Sequence, residues 1–283
     1  MGVLKNTMIN TIQEILSYSF MTKALIVGLL VSICSALLGV TLVLKRYALI
    51  GDGLSNVGFG SLTVAVALGI TPLYVSIPLS ILSAVILMRI GSNSKINSDS
   101  AIAMIGSGAV AVGVAITSMT TGMNTDVCNM MFGSLVTLTT EDLILSIVTS
   151  SVVIFMFIAL YDKIFMVTFD EKFAIASGIN VNRYNTIIAI MTGVTIVVGM
   201  RMMGTILISS ILIFPAISSM RLFKTFKHVV ISSGIVSVIS FLIGIYVAYV
   251  YGVSTGASIV LANIALLMIF SISGLVRKIV FAE

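Results

Sequence analysis

Lys45–Gly60 reads KRYALIGDGLSNVGFG. It sets one carboxylate, Asp52, between two charge-free stretches: Ala24–Leu44 ends just before the basic pair Lys45 and Arg46, and Gly53–Thr71 follows. Each is long enough to cross roughly 30 Å of hydrocarbon as a helix. An acid at the mouth of such a segment is costly unless it binds something. This stretch therefore decides the fold class and shows where to look for function.

Outward from it the pattern repeats. Further charge-free windows fall at Pro72–Met88, Ala101–Met119, Leu143–Tyr161, Tyr184–Met200, Met202–Met220, Val229–Val250 and Gly256–Val276. The 283 residues are 59% hydrophobic and 9% charged, with mean hydropathy +1.22. No water-soluble domain could hide that much apolar surface, so the chain is expected to be all-α, a polytopic transmembrane bundle with eight or nine membrane segments. Two short runs flank Gly204, with Pro215 near the end of the second. One of them reads either as a full span or as a re-entrant half-helix.

Residues 1–23 mix polar and apolar residues and lack a small-residue cleavage site after a basic start, so they read as an amphipathic lead-in, not a removed signal peptide. Residues 24–283 read as one transmembrane domain in contact with lipid, broken by two longer loops, 120–142 and 162–183. The formal charge of +5 carries no nucleic-acid signal, because the basic residues gather in short loops. With Leu143–Tyr161 ending inside, Lys45, Arg46, Arg89, Lys95, Lys163, Lys172, Arg183, Arg221, Lys224, Lys227, Arg277 and Lys278 lie inside, and Lys5, Lys23 and Arg201 outside. That asymmetry predicts a multi-pass protein with its N-terminus outside and its C-terminus in the cytoplasm. Loop 120–142 is then external and loop 162–183 cytoplasmic. Within the latter, Asp170–Ser177 reads as a short exposed helix with Asp170 and Glu171 at its favourable N-terminus and Gly178 as its stop. Docking to a partner is a natural task for it.

The absences exclude most enzymes. No GxxxxGK[ST] occurs, nor any Gly-Lys pair, so there is no nucleotide-binding loop. His228 is the only histidine and sits among Arg221, Lys224 and Lys227 in a basic turn, which removes hydrolytic triads and histidine metal clusters. Cys34 and Cys128 suggest no disulfide framework. No acid lies inside a span apart from Asp52 at its edge, which counts against a gradient-driven carrier. What remains is Asp52 with Asn56 four residues on, sharing a helix face about 6 Å apart at the backbone, an arrangement that can grip a small cation. Each has a plainer reading: Asp52 as an N-cap flanked by Gly51 and Gly53, and Asp126 as a polar residue of the outer loop. Arg201 either snorkels to headgroups or neutralises an acid.

Several stretches together resemble a known family, the permease subunits of ATP-binding-cassette importers for zinc, manganese and iron. They are Leu42–Gly60, Thr125–Leu135 followed by TTEDL, Phe169–Asn185, Val198–Leu222 and Tyr251–Leu261, in the family's order and spanning nearly the whole chain. The resemblance implies a homodimer of permeases, separate ATPase subunits in the cytoplasm, and an extracytoplasmic binding protein that delivers the ion. It implies no permanently bound cofactor, the divalent metal ion (Mn, Fe or Zn) being cargo. It places the ion site on Asp52 and Asp126, and ATPase coupling on the segment holding Asp170, Glu171, Ala174 and Gly178. One position departs: the family pattern reads Asp, three residues, His, and this chain reads Asp52, three residues, Asn56. An amide offers a neutral oxygen where imidazole offers nitrogen, so Asp52, Asn56 and Asp126 would form an all-oxygen site tilted toward hard ions such as Mn²⁺. A weak manganese or iron site, a permease adapted to a metal chelate such as a siderophore or corrinoid, and a zinc site completed by Cys128 all remain open. Hydropathy sets Asp52 near the cytoplasmic end of its segment, whereas the resemblance sets it on the ion path, with Gly51 and Gly53 letting the chain dip inward before its helix begins.

Overall fold

The computed structural model describes residues 19–93, 98–119 and 140–280. Their helices, in chain order, are α1 (Ser19–Leu44), α2 (Ile50–Ala67), α3 (Pro72–Asn93), α4 (Ser98–Met119), α5 (Thr140–Ala159) and α6 (Tyr161–Phe169). After them come α7 (Glu171–Ala176), α8 (Val181–Met203), α9 (Thr205–Leu222), α10 (Phe226–Tyr251) and α11 (Thr255–Val280). Among the described residues, seven helices are long and apolar enough to cross a membrane, or eight if the bent pair Leu143–Ala159 and Tyr161–Phe169 makes one span. Helices are the natural answer to a hydrocarbon solvent, since each satisfies its own backbone. The chain is an integral membrane protein built as a polytopic helical bundle.

Two details depart from the sequence reading. The runs on either side of Gly204 are α8 and α9, and both have spanning length. Gly204 sits between them at φ 83°, a conformation costly for other residues. The sharp break instead falls at Leu160, where α5 and α6 meet at 71°. Most of the stretch expected as a loop after Tyr161 is therefore helical.

α1 is the central post. It packs on α5, α8, α9 and α10, and small polar groups tie it to two of them. Ser237 Oγ donates to the Ser32 carbonyl at 2.9 Å and Ser233 Oγ to the Ala36 carbonyl at 3.3 Å, both from α10. Cys34 Sγ donates to the Ser150 carbonyl of α5 at 3.4 Å. Such contacts replace the hydrophobic drive that lipid removes. α6 is clamped to the start of α10 by rings: Tyr161, Phe165 and Phe169 surround Phe226 with centroids 5.2 to 6.1 Å away.

The closest pairing is α2 with α4, and glycine makes it. A Cβ on Gly106 would stand 3.2 Å from the Gly53 Cα, and one on Gly60 would stand 3.0 Å from the Ala109 carbonyl carbon. α2 is consequently buried along most of its length.

Candidate functional site

α2 begins at Ile50, before both glycines expected to precede it. Gly51 and Gly53 are already helical, and Gly53 serves the close approach to Ile102 on α4. Nor is Asp52 the N-cap: that position is Leu49, and Asp52 lies in the first turn, where its charge complements the helix dipole. Its side chain is exposed on a helix that is otherwise mostly buried. An exposed carboxylate on a bundle of this kind faces water or a partner, since facing lipid would be costly.

Asn56 is half-buried one turn on and, as expected, shares the face of Asp52. Its Nδ2 donates to Asp52 Oδ2 at 3.5 Å, a long bond that leaves the carboxylate mostly uncommitted. Gly106 sits below: a Cβ there would be 3.5 Å from Asn56 Nδ2. Rotating the amide by half a turn exchanges Nδ2 for Oδ1 and gives two oxygens, one charged and one neutral, converging on one point. That donor pair suits a hard divalent cation. Among the described residues no group of three or more His, Cys, Asp or Glu could hold a metal. Asp126 and Cys128 lie outside the described residues. Of the loop 120–142, expected on the outer side, only residues 140–142 are described, and they open α5, where Lys23 Nζ donates to Thr140 Oγ1 at 3.3 Å. Of the lead-in, residues 19–23 belong to α1.

A groove of about 750 Å³ lies between α1, α5, α6 and α10. Its walls include Ile33, Leu37, Ile154, Phe157 and Ile235, and neither Asp52 nor Asn56 reaches it. Asp162 is the one carboxylate on its otherwise mostly apolar lining.

The short helix α7 has the expected form. The Asp170 side chain caps it, accepting from the Phe173 N–H at 3.0 Å, and Gly178 at φ 79° closes it. Ala174 is buried against Val167 and Val181, while Phe173 and Ile175 are 58% and 64% exposed. Apolar side chains presented on a polar connection between spans are a surface that a partner could cover.

Sequence reasoning missed what holds α7. Lys45, just past α1, has a side chain only 5% exposed, and its Nζ donates to Glu171 Oε1 at 2.8 Å and to Asn185 Oδ1 of α8 at 2.6 Å. Burial alone would raise the Glu171 carboxyl, but the Lys45 hydrogen bond and charge, with Asn185, outweigh it and hold Glu171 below the ordinary glutamate range. The only signal in the sequence was the basic pair itself, whose role in orientation explained it already.

A buried helix carrying an exposed carboxylate, with a short helix showing apolar side chains tied in beside it, is an arrangement suited to a membrane permease driven from outside its own chain. The chain belongs to the ABC 3 transport family, which it matches over residues 17–274. It is 31% identical over 265 residues to a probable iron transport system membrane protein of Haemophilus influenzae, covering 93% of this chain and 96% of the other. It is 27% identical over 258 residues to the manganese import system permease protein ScaB of Streptococcus gordonii, covering 91% and 92%. Among solved structures, PsaBC from Streptococcus pneumoniae in complex with Fab superposes with a TM-score of 0.83 at 25% identity, covering 93% of this chain and 95% of that one.

Proposed function

We propose that this chain is the permease subunit of an ATP-driven importer that carries a divalent transition-metal ion, manganese, iron or zinc, across the plasma membrane. The observation that carries the reading is the Asp52–Asn56 pair, free to bind, on a buried helix of a chain whose relatives are named for manganese and iron transport. Asp52 and Asn56, with Asp126 from the outer loop, line the ion path. The oxygen of Asn56 favours Mn²⁺ over Zn²⁺. α7 docks in a separate ATPase subunit, which alone hydrolyses ATP. Two permeases pair, and an extracytoplasmic binding protein supplies the ion. The N-terminus lies outside and the C-terminus in the cytoplasm, as the basic loops require.

The test is uptake of radiolabelled Mn²⁺, Fe²⁺ and Zn²⁺ by cells making this chain with its ATPase, beside an Asp52→Ala variant of equal abundance. ATP-dependent entry of one ion, abolished by Asp52→Ala, is the expected result. Entry that survives Asp52→Ala removes that residue from the path, and no entry of any ion overturns the metal reading.

A further inference from the structure

We propose that Lys45 is a positioning residue, a strut that ties the docking helix α7 to the start of α2 and so to Asp52; the proposal rests on the transport reading above. Three elements meet at its ammonium: the end of α1, α7 through Glu171 and α8 through Asn185. Asn185 Nδ2 also donates to Glu171 Oε1 at 3.4 Å, closing the triangle. A buried ammonium is strongly penalised if its acceptors leave, so α7 cannot move without taking Lys45 along.

From Lys45 the chain has no slack before the ion-facing carboxylate. Arg46 adopts φ 63°, an unusual conformation for a long side chain, and the Tyr47 N–H returns to the Leu42 carbonyl at 2.8 Å. The Ile50 N–H then bonds the Tyr47 carbonyl at 3.1 Å and opens α2, two residues before Asp52. Tyr47 itself is anchored, its hydroxyl donating to the Met88 carbonyl of α3 at 3.4 Å. A push on the exposed face of α7 therefore reaches the first turn of α2 through one ion pair and one rigid corner. Glu171 is half-exposed and faces both the partner and the strut, whereas Lys45 can act only through Glu171 and Asn185.

The experiment uses the whole importer, permease with its ATPase and binding protein, in proteoliposomes, comparing the parent, Lys45→Met, and the exchange Lys45→Glu with Glu171→Lys. The quantity read is Mn²⁺ ions moved per ATP hydrolysed. In Lys45→Met the ATPase still copurifies and basal hydrolysis persists, but ions per ATP fall about tenfold, the size of a coupling between linked sites. The exchange recovers part of that loss. An unchanged ratio in Lys45→Met, or uptake and hydrolysis falling in proportion, overturns the strut. If the parent moves no ion, the transport reading has failed, and the strut is judged by the distance between spin labels at Leu49 and Ile175 in a cysteine-free background. It holds constant through ATP binding in the parent and spreads in Lys45→Met; identical distributions in the two overturn the proposal.

Discussion

Replacing Gly60 by alanine tests whether the close approach of α2 and α4 supports the candidate site. The new Cβ would lie 3.0 Å from the Ala109 carbonyl carbon and 3.3 Å from the Ala109 Cβ, and nearer still to the carbonyl oxygen. Backbone cannot rotate aside as a side-chain tip can, so α4 must retreat by several tenths of an ångström along the whole interface. Overpacking of this kind costs about 1–3 kcal/mol, against which the better helix propensity of alanine returns about 0.5–1 kcal/mol. Taking the middle of each range, the net loss is about 1 kcal/mol, roughly a five- to tenfold fall in the folded fraction relative to unfolded. Gly108 on α4 is the control, because a Cβ there meets nothing within 4 Å. The assay is the midpoint of SDS-induced unfolding in mild detergent micelles. Gly108→Ala should match or exceed the parent and Gly60→Ala should fall below both; equal midpoints for the two variants would refute the packing argument.

Asn56→His should move cargo preference toward Zn²⁺, since imidazole is the better borderline ligand, as read by competition between labelled Mn²⁺ and Zn²⁺; an unchanged ratio means position 56 does not set selectivity. The carboxyl of Glu171 is lower in the folded protein than in the unfolded chain, so its contribution is present above the ordinary glutamate range and lost as pH falls through the lowered folded value. A spin label at Ile175 should therefore gain mobility in acid and not in alkali, and the opposite trend would contradict the assigned ion pair. Asp170→Ala removes the cap of α7 at a local cost of about 1 kcal/mol, which should appear as faster amide exchange at Phe173; unaltered exchange there would show that the cap contributes nothing to holding α7.

The bundle was legible because hydrocarbon imposes one rule along the whole chain: a charge-free run of sufficient length must be a helix. The α7 cap and stop were legible for the same kind of reason, being local, with Asp170 three residues from its partner Phe173. The bend at Leu160 was not, because no proline or glycine marks it; it accompanies the packing of α6 rings on Phe226, far away in sequence. Lys45 and Glu171 lie 126 residues apart, and nothing in either neighbourhood announces the other. At the candidate site, the shared face of Asp52 and Asn56 followed from helical periodicity. The role of Gly53 did not, since a glycine before a helix and a glycine beneath a neighbouring helix look alike in a sequence.

α2 is absent from the helices apolar enough to cross a membrane alone, although most of its residues are buried within the bundle. During biosynthesis this matters. A segment carrying Asp52, Asn56 and four glycines gains little from partitioning into lipid on leaving the ribosome, so its insertion waits on α1 before it and α4 after it. A nascent chain halted soon after Ala67 should leave α2 accessible to aqueous reagents, and one extended past Met119 should sequester it. The residues proposed to bind the ion are thus the ones that make this helix a late and dependent arrival in the bilayer.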